Sequence, residues 1–134
     1  MIGRKLVVVG RLLMMPLIGG LAAVAVAPSA HAEDSVTYEV LSTTPYVNAV
    51  NVEYYDHSQR ILLENVSLPW RMNATVVDAN QPSADGAEVR ADWRPSAAPS
   101  RWVTVRIYVR GSLICENTLD VGNATCYGRT HFKN

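Results

Sequence analysis

The chain has 134 residues with twelve basic and twelve acidic side chains, so it is formally neutral, and 49% of its residues are hydrophobic. The charges are unevenly placed: three basic residues, Arg4, Lys5 and Arg11, precede position 33 and every acidic residue follows position 32, which leaves the last 102 residues at a net −3 with His neutral. A mildly acidic stretch of that length without a basic run holds one domain, excludes an electrostatic footprint for nucleic acid, and has little attraction for an anionic bilayer.

Residues 1–32 read as an export signal. A basic start is followed by an apolar run over residues 6–27, by the helix-breaking pair Pro28-Ser29, and by Ala30-His31-Ala32, which sets small residues two apart immediately before Glu33. Cleavage after Ala32 is the expected outcome. The run is long enough to span a bilayer if Arg11 is tolerated near one end, and this keeps a retained signal anchor as the alternative. Counted from Leu12 it falls short of the roughly 20 residues a spanning helix needs, and Pro16, Gly19 and Gly20 weaken it further. Either way residues 33–134 are placed outside the cytoplasm, secreted if cleaved or on the outer side of the cell membrane if anchored.

Beyond residue 32 the apolar period is two. It runs through Val36, Tyr38 and Val40, then Val50, Val52 and Tyr54, then Ile61 and Leu63, then Leu68, Trp70, Met72, Ala74 and Val76. It resumes with Val89, Ala91 and Trp93, with Val103, Val105, Ile107 and Val109, and with Leu113 and Cys115. Turn formers separate these runs at Thr44-Pro45, Asp56-His57-Ser58, Asn80-Gln81-Pro82-Ser83, Gly111-Ser112 and Gly122-Asn123. About seven short strands in about 100 residues predict an all-β fold, an immunoglobulin-like antiparallel β-sandwich, with a small closed barrel as the second choice. The segment 80–100 is the poorest in strand signal, with three prolines, and is expected to be a mobile loop, either a plain connection or a partner-binding loop.

Two cysteines, Cys115 and Cys126, both lie in the exported part and predict a disulfide. A tight turn at Gly111-Ser112 sends residues 113–119 back as a strand, and residues 120–123 turn the chain again, which puts both cysteines on neighbouring strands. No Cys-x-x-Cys occurs, so exchange chemistry is disfavoured.

Catalytic equipment is thin. His57 and His131 are the only histidines of the exported part, and Asp56-His57-Ser58 reads as a turn, because triad members converge through space whereas chain neighbours in an extended strand point to opposite faces. Glu39, Glu53, Glu64, Glu88 and Glu116 lie singly at polar strand positions and read as solvated faces. No metal-ligand spacing is present, and neither a metal nor a cofactor is assigned.

Several segments in order carry a resemblance: Val36-Thr37-Tyr38-Glu39-Val40, Glu53-Tyr54-Tyr55-Asp56, Ser67-Leu68-Pro69-Trp70, Val105-Arg106-Ile107-Tyr108-Val109-Arg110-Gly111, Glu116-Asn117-Thr118 and Ala124-Thr125-Cys126. Together they resemble the mycobacterial MmpS family over most of residues 36–128. The resemblance implies a small exported, usually membrane-anchored, non-enzymatic accessory of a large MmpL-like exporter of the resistance-nodulation-division (RND) class, which moves lipids or siderophores. The sequence departs from the family pattern in its Ala30-His31-Ala32 site, in the position of Cys115, and in the length of the 81–100 loop. On this reading Trp70 is a core plug whose loss costs roughly 3 to 5 kcal/mol, Pro69 starts its strand, and Ile107 is core. Trp93, Trp102 and Tyr108 are the candidate partner contacts. The competing expectation is a freestanding secreted module that binds a lipid, a glycan or a host protein.

Overall fold

Among the described residues eight strands form where the period-two pattern runs. In chain order they are β1 (Asp34–Ser42), β2 (Ala49–Asp56), β3 (Gln59–Ser67), β4 (Trp70–Val76), β5 (Glu88–Asp92), β6 (Val103–Val109), β7 (Ser112–Leu119) and β8 (Asn123–Tyr127). A single 3-10 turn, Arg94–Ser96, is the only helical element among the described residues. The computed structural model describes residues 32–43, 46–81 and 85–129. The signal segment up to His31 and the turn at Thr44-Pro45 therefore lie outside the described residues, and no described helix is long and apolar enough to cross a membrane.

The strands make two antiparallel four-stranded sheets, ordered β4-β1-β6-β7 and β8-β5-β2-β3. This is the antiparallel β-sandwich that the alternation predicts, open at its edges rather than closed as a barrel. Only β2–β3 and β6–β7 are hairpins within a sheet; every other connection crosses from one sheet to the other. Both hairpins turn on two residues of positive φ, His57 (51°) with Ser58 (60°) and Arg110 (48°) with Gly111 (85°), the conformation whose twist matches that of the flanking strands. The second turn is thus Arg110-Gly111, one residue earlier than the sequence suggests, with Ser112 already in β7.

Alternate side chains of the four central strands fill the space between the sheets. Val36, Tyr38 and Val40 of β1 meet Val52 and Tyr54 of β2, Val89 and Ala91 of β5, and Val103, Val105 and Ile107 of β6. β-branched residues dominate because they pack well on a pleated surface. Ile107 is fully buried, as expected.

Trp70 differs from expectation. It is only half-buried, packed on the rim of the core with its ring 5.4 Å from Tyr54, because β4 is an edge strand. Pro69 is exposed and sits before β4 in the crossover, joined to Leu68 by a cis peptide bond. The large plug of the core is instead Trp93, 2% exposed, whose backbone N–H donates to the Gly122 carbonyl at 2.7 Å.

The segment expected to be one mobile loop contains β5, and its second half is pinned. Besides the Trp93 to Gly122 bond, Ser100 N–H donates to Asp120 Oδ2 at 3.0 Å, Arg101 Nη1 donates to the Ser96 carbonyl at 2.9 Å, and Ser42 Oγ donates to the Trp102 carbonyl at 2.8 Å. Gly122 (φ 104°) is where this segment meets the β7–β8 turn; a Cβ there would lie 2.8 Å from Arg94 Cγ.

One polar tyrosine is built into the core. The Tyr38 hydroxyl donates to the Tyr55 carbonyl at 2.7 Å and accepts from Glu88 N–H at 3.4 Å, and burial pushes its pKa well above the usual phenol value. Above about pH 10 the phenol of the unfolded chain ionises while the folded one holds its proton, so stability falls as pH rises from there. In urea melts, Tyr38→Phe should flatten that alkaline decline and cost about 1 kcal/mol at neutral pH, the value of the orphaned carbonyl's bond.

Candidate functional site

The outer face of the β4-β1-β6-β7 sheet carries a continuous row of charge. Register sets Arg71 of β4 opposite Glu39 of β1, Glu39 opposite Arg106 of β6, and Arg106 opposite Glu116 of β7. Arg71 Nη1 reaches Glu39 Oε2 at 2.9 Å, Arg106 Nη1 reaches Glu39 Oε1 at 3.1 Å, and Arg106 Nε donates to Glu116. Glu116 and then Glu39 hold the Arg106 guanidinium even more firmly charged than an ordinary arginine. The carboxylates of Glu39 and Glu116, which read as isolated in the sequence, are therefore members of one alternating ladder. Thr37 with Asn73 and Thr104 with Thr118 add side-chain hydrogen bonds in the rows on either side.

Tyr108 stands on this face. Its hydroxyl donates to Glu39 Oε1 at 3.3 Å and the Arg71 guanidinium lies 5.5 Å over its ring, so it is held in place and partly exposed. Trp102 is 40% exposed just before β6, six residues from Tyr108, a separation on the order of 20 Å along an extended chain. Trp93 is core and is removed from the set of contact candidates. The three aromatics proposed as contacts thus form no single patch: one is buried and the other two stand at opposite ends of β6.

The outer face of the other sheet has a shallow, open depression of about 280 Å³ lined by Asn51, Glu53, Leu62, Arg90, Asp92 and Arg94. Its charges are largely matched: Arg94 hydrogen-bonds both oxygens of Asp92 and holds that carboxyl below its usual pKa. Asn51 Oδ1 is taken up by the Asn65 N–H at 2.9 Å, which secures the bulge in β3.

Asp56, His57 and Ser58 occupy the β2–β3 hairpin and its turn. Asp56 Oδ1 lies 3.7 Å from His57 Nε2 and accepts from Thr75 N–H at 3.0 Å, His57 N–H donates to the Thr75 carbonyl at 2.7 Å, and Ser58 Oγ donates to Asp85 at 3.1 Å. The serine points away to a different acid, so the turn is a structural clasp, Asp56 and His57 on Thr75 of β4 and Ser58 on Asp85, rather than a relay. Among the described residues no cluster of three His, Cys, Asp or Glu could hold a metal.

The Cys115–Cys126 disulfide forms, with a Cα–Cα distance of 5.8 Å. Its strands, β7 and β8, follow one another in the chain but belong to different sheets, so the bond staples the sandwich across its thickness at one side rather than linking two paired strands. Ala30 lies outside the described residues. Ala32 and Glu33 are exposed and precede β1 without belonging to it, and the second compact unit of the chain begins at Ala32.

No protein-family model matches this chain, and no curated protein matches it significantly. The charge ladder was invisible in the sequence because its partners are 32, 67 and 10 residues apart. The one readable hint was the outward parity that Glu39, Arg71, Arg106 and Glu116 share on their strands.

Proposed function

We propose that this protein is a non-enzymatic extracytoplasmic accessory of a large RND-type, MmpL-like exporter of lipids or siderophores, working on the outer side of the cell membrane. The observation that carries the reading is where the resemblance to the MmpS family falls on the fold. Its segments supply, in order, β1, the end of β2, the β3–β4 crossover at Ser67-Leu68-Pro69-Trp70, β6 with its turn, the middle of β7, and β8. They follow chain order and fall on strands or turns of both sheets. Such a domain would act by holding a surface against the transporter's external part, and the polar, charge-matched face around Tyr108 suits a contact made and broken in water.

A second reading is favoured by a different observation. The exposed Ala32–Glu33 bond stands clear of β1, where a peptidase can reach it, and a chain cut there is a freestanding secreted module. Deleting the gene in the native host and following both export and location separates the two. The accessory reading expects the chain in the membrane fraction, an RND-type transporter co-purified with it, and loss of a lipid or siderophore from the medium that is restored on complementation. A soluble species beginning at Glu33, with export unchanged by the deletion, would overturn it in favour of the secreted module.

A further inference from the structure

A sandwich with open edges has four edge strands, and three of these are blunted. The free side of β4 is occupied at Thr75 by the β2–β3 turn, through Asp56 and His57. The edges β7 and β8 are tied together by the disulfide and by Asn117 Nδ2 donating to the Thr125 carbonyl at 3.2 Å. Among the described residues no such cover lies on β3. In a two-residue hairpin the closing pair, Asp56 with Gln59, is hydrogen-bonded, and bonded and non-bonded pairs then alternate, so the backbone groups of Arg60, Leu62 and Glu64 point to the open edge. Among the described residues no hydrogen bond takes them up. Leu62 is 52% exposed on the same strand, and the bulge at Asn65 (φ 55°) ends the regular edge immediately after Glu64.

We infer that this edge pairs with a second copy of the chain, β3 against β3 and antiparallel, joining two four-stranded sheets into one of eight. The sequence Arg60-Ile61-Leu62-Leu63-Glu64 is complementary to itself when reversed. Of the antiparallel registers open to it, only the one with Leu62 on the two-fold axis bonds all three outward-facing residues, and that register sets Arg60 against the partner's Glu64 twice over. Leu62 meets the partner's Leu62 between the two ion pairs, and on the other face Ile61 meets the partner's Leu63, extending the apolar rim that both already contribute to the core. Glu64 is exposed with no ion pair among the described residues, and Arg60 donates from Nη2 to the Tyr55 hydroxyl at 2.7 Å, its guanidinium lying over that ring, while its contact with a carboxylate is a loose one, to Glu53 at 3.6 Å. Glu64 thus gains an ion-pair partner, and Arg60 a carboxylate directly opposite it in place of a loose one. A bare edge invites any strand; the matched ends select a copy of itself, through an isologous two-fold contact.

The contact is short, so the dimer is weak and is to be sought by sedimentation velocity over roughly 1 to 500 µM, where micromolar association shows. The full chain is used, recovered from the extracytoplasmic side of the cell in whichever form it takes there. Arg60→Glu and Glu64→Arg should each weaken dimerisation by roughly thirtyfold or more, since each puts like charges opposite one another twice. The doubly exchanged variant should dimerise again, and so should an equimolar mixture of the two single variants, in which every facing pair is again opposite in sign. Both sites are exposed, so near-ultraviolet circular dichroism should match the parent. A monomer throughout the range, a dimer indifferent to either exchange, or single variants that fail to recover on mixing would overturn the inference. The first of these is also the result expected if the edge serves a strand of another protein.

Discussion

Trp93→Ala should lower the free energy of unfolding by roughly 3 to 5 kcal/mol, a large part of what a domain of this size has to lose. The indole is 2% exposed, follows β5 into the core, and stands where the pinned 93–102 segment meets the β7–β8 turn. Its removal leaves a cavity in a close-packed core that can relax only in part. Trp93→Phe should cost much less than this, because Nε1 is buried with no hydrogen-bond partner among the described residues and nothing is orphaned when it goes. Trp70→Ala should cost only about 1 to 2 kcal/mol, since that ring is half in water and gives up its Tyr54 contact and part of its apolar area rather than a core volume. Urea titrations of the three variants check the order. A Trp70→Ala protein less stable than Trp93→Ala would refute the placement of the two rings.

Those two tryptophans show what the sequence could and could not say. Val89, Ala91 and Trp93 share one parity, as do Trp70, Met72, Ala74 and Val76, so the inward direction of both rings was legible from period two alone. Depth was not, because it depends on whether a strand is central or at an edge, and strand order is fixed by crossovers rather than by any local pattern. Trp93 was nonetheless a candidate contact, as an aromatic the sandwich would not need, and the bonds that hold its segment in place run to Gly122 and Asp120, more than 19 residues away. The same non-locality hid the Arg71-Glu39-Arg106-Glu116 row. The hairpin at Arg110-Gly111 and the turn at His57-Ser58 were legible to within a residue, since a tight turn is a local event. For the candidate site this meant that neither depth nor grouping could be read: Trp93 is core, Tyr108 is partly exposed and Trp102 exposed, and the last two stand apart.

Strand edges give the fold a division of labour that bears on its stability. One side of the sandwich, at β7 and β8, is closed by covalent and side-chain links, while the side at β3 and β4 is held only by the clasp of Asp56 and His57 on Thr75 and by half-buried apolar residues. Local opening is expected to begin on the second side, where backbone bonds are more exposed and fewer apolar contacts must be broken.

Replacing Cys115 and Cys126 together with alanine should destabilise the domain by about 3 kcal/mol, because the bond closes a loop of 11 residues in the unfolded chain. The native state contributes as well: the two sulfurs are buried, and without the bond the β7 and β8 edges are left with the Asn117 to Thr125 hydrogen bond as their direct link. The loss should therefore be local in the folded protein, with hydrogen exchange accelerated in β7 and β8 first and the β2–β3 hairpin little changed. Burial has a second consequence. A thiol reductant should leave the bond intact in native buffer and cleave it readily in urea, since attack on the disulfide requires access to a sulfur that the fold denies. Paired urea titrations of parent and double variant, with exchange read by mass spectrometry, test both parts. A double variant within about 0.5 kcal/mol of the parent, or one whose faster exchange is spread evenly over all eight strands, would mean that the staple is redundant with the packing between the sheets.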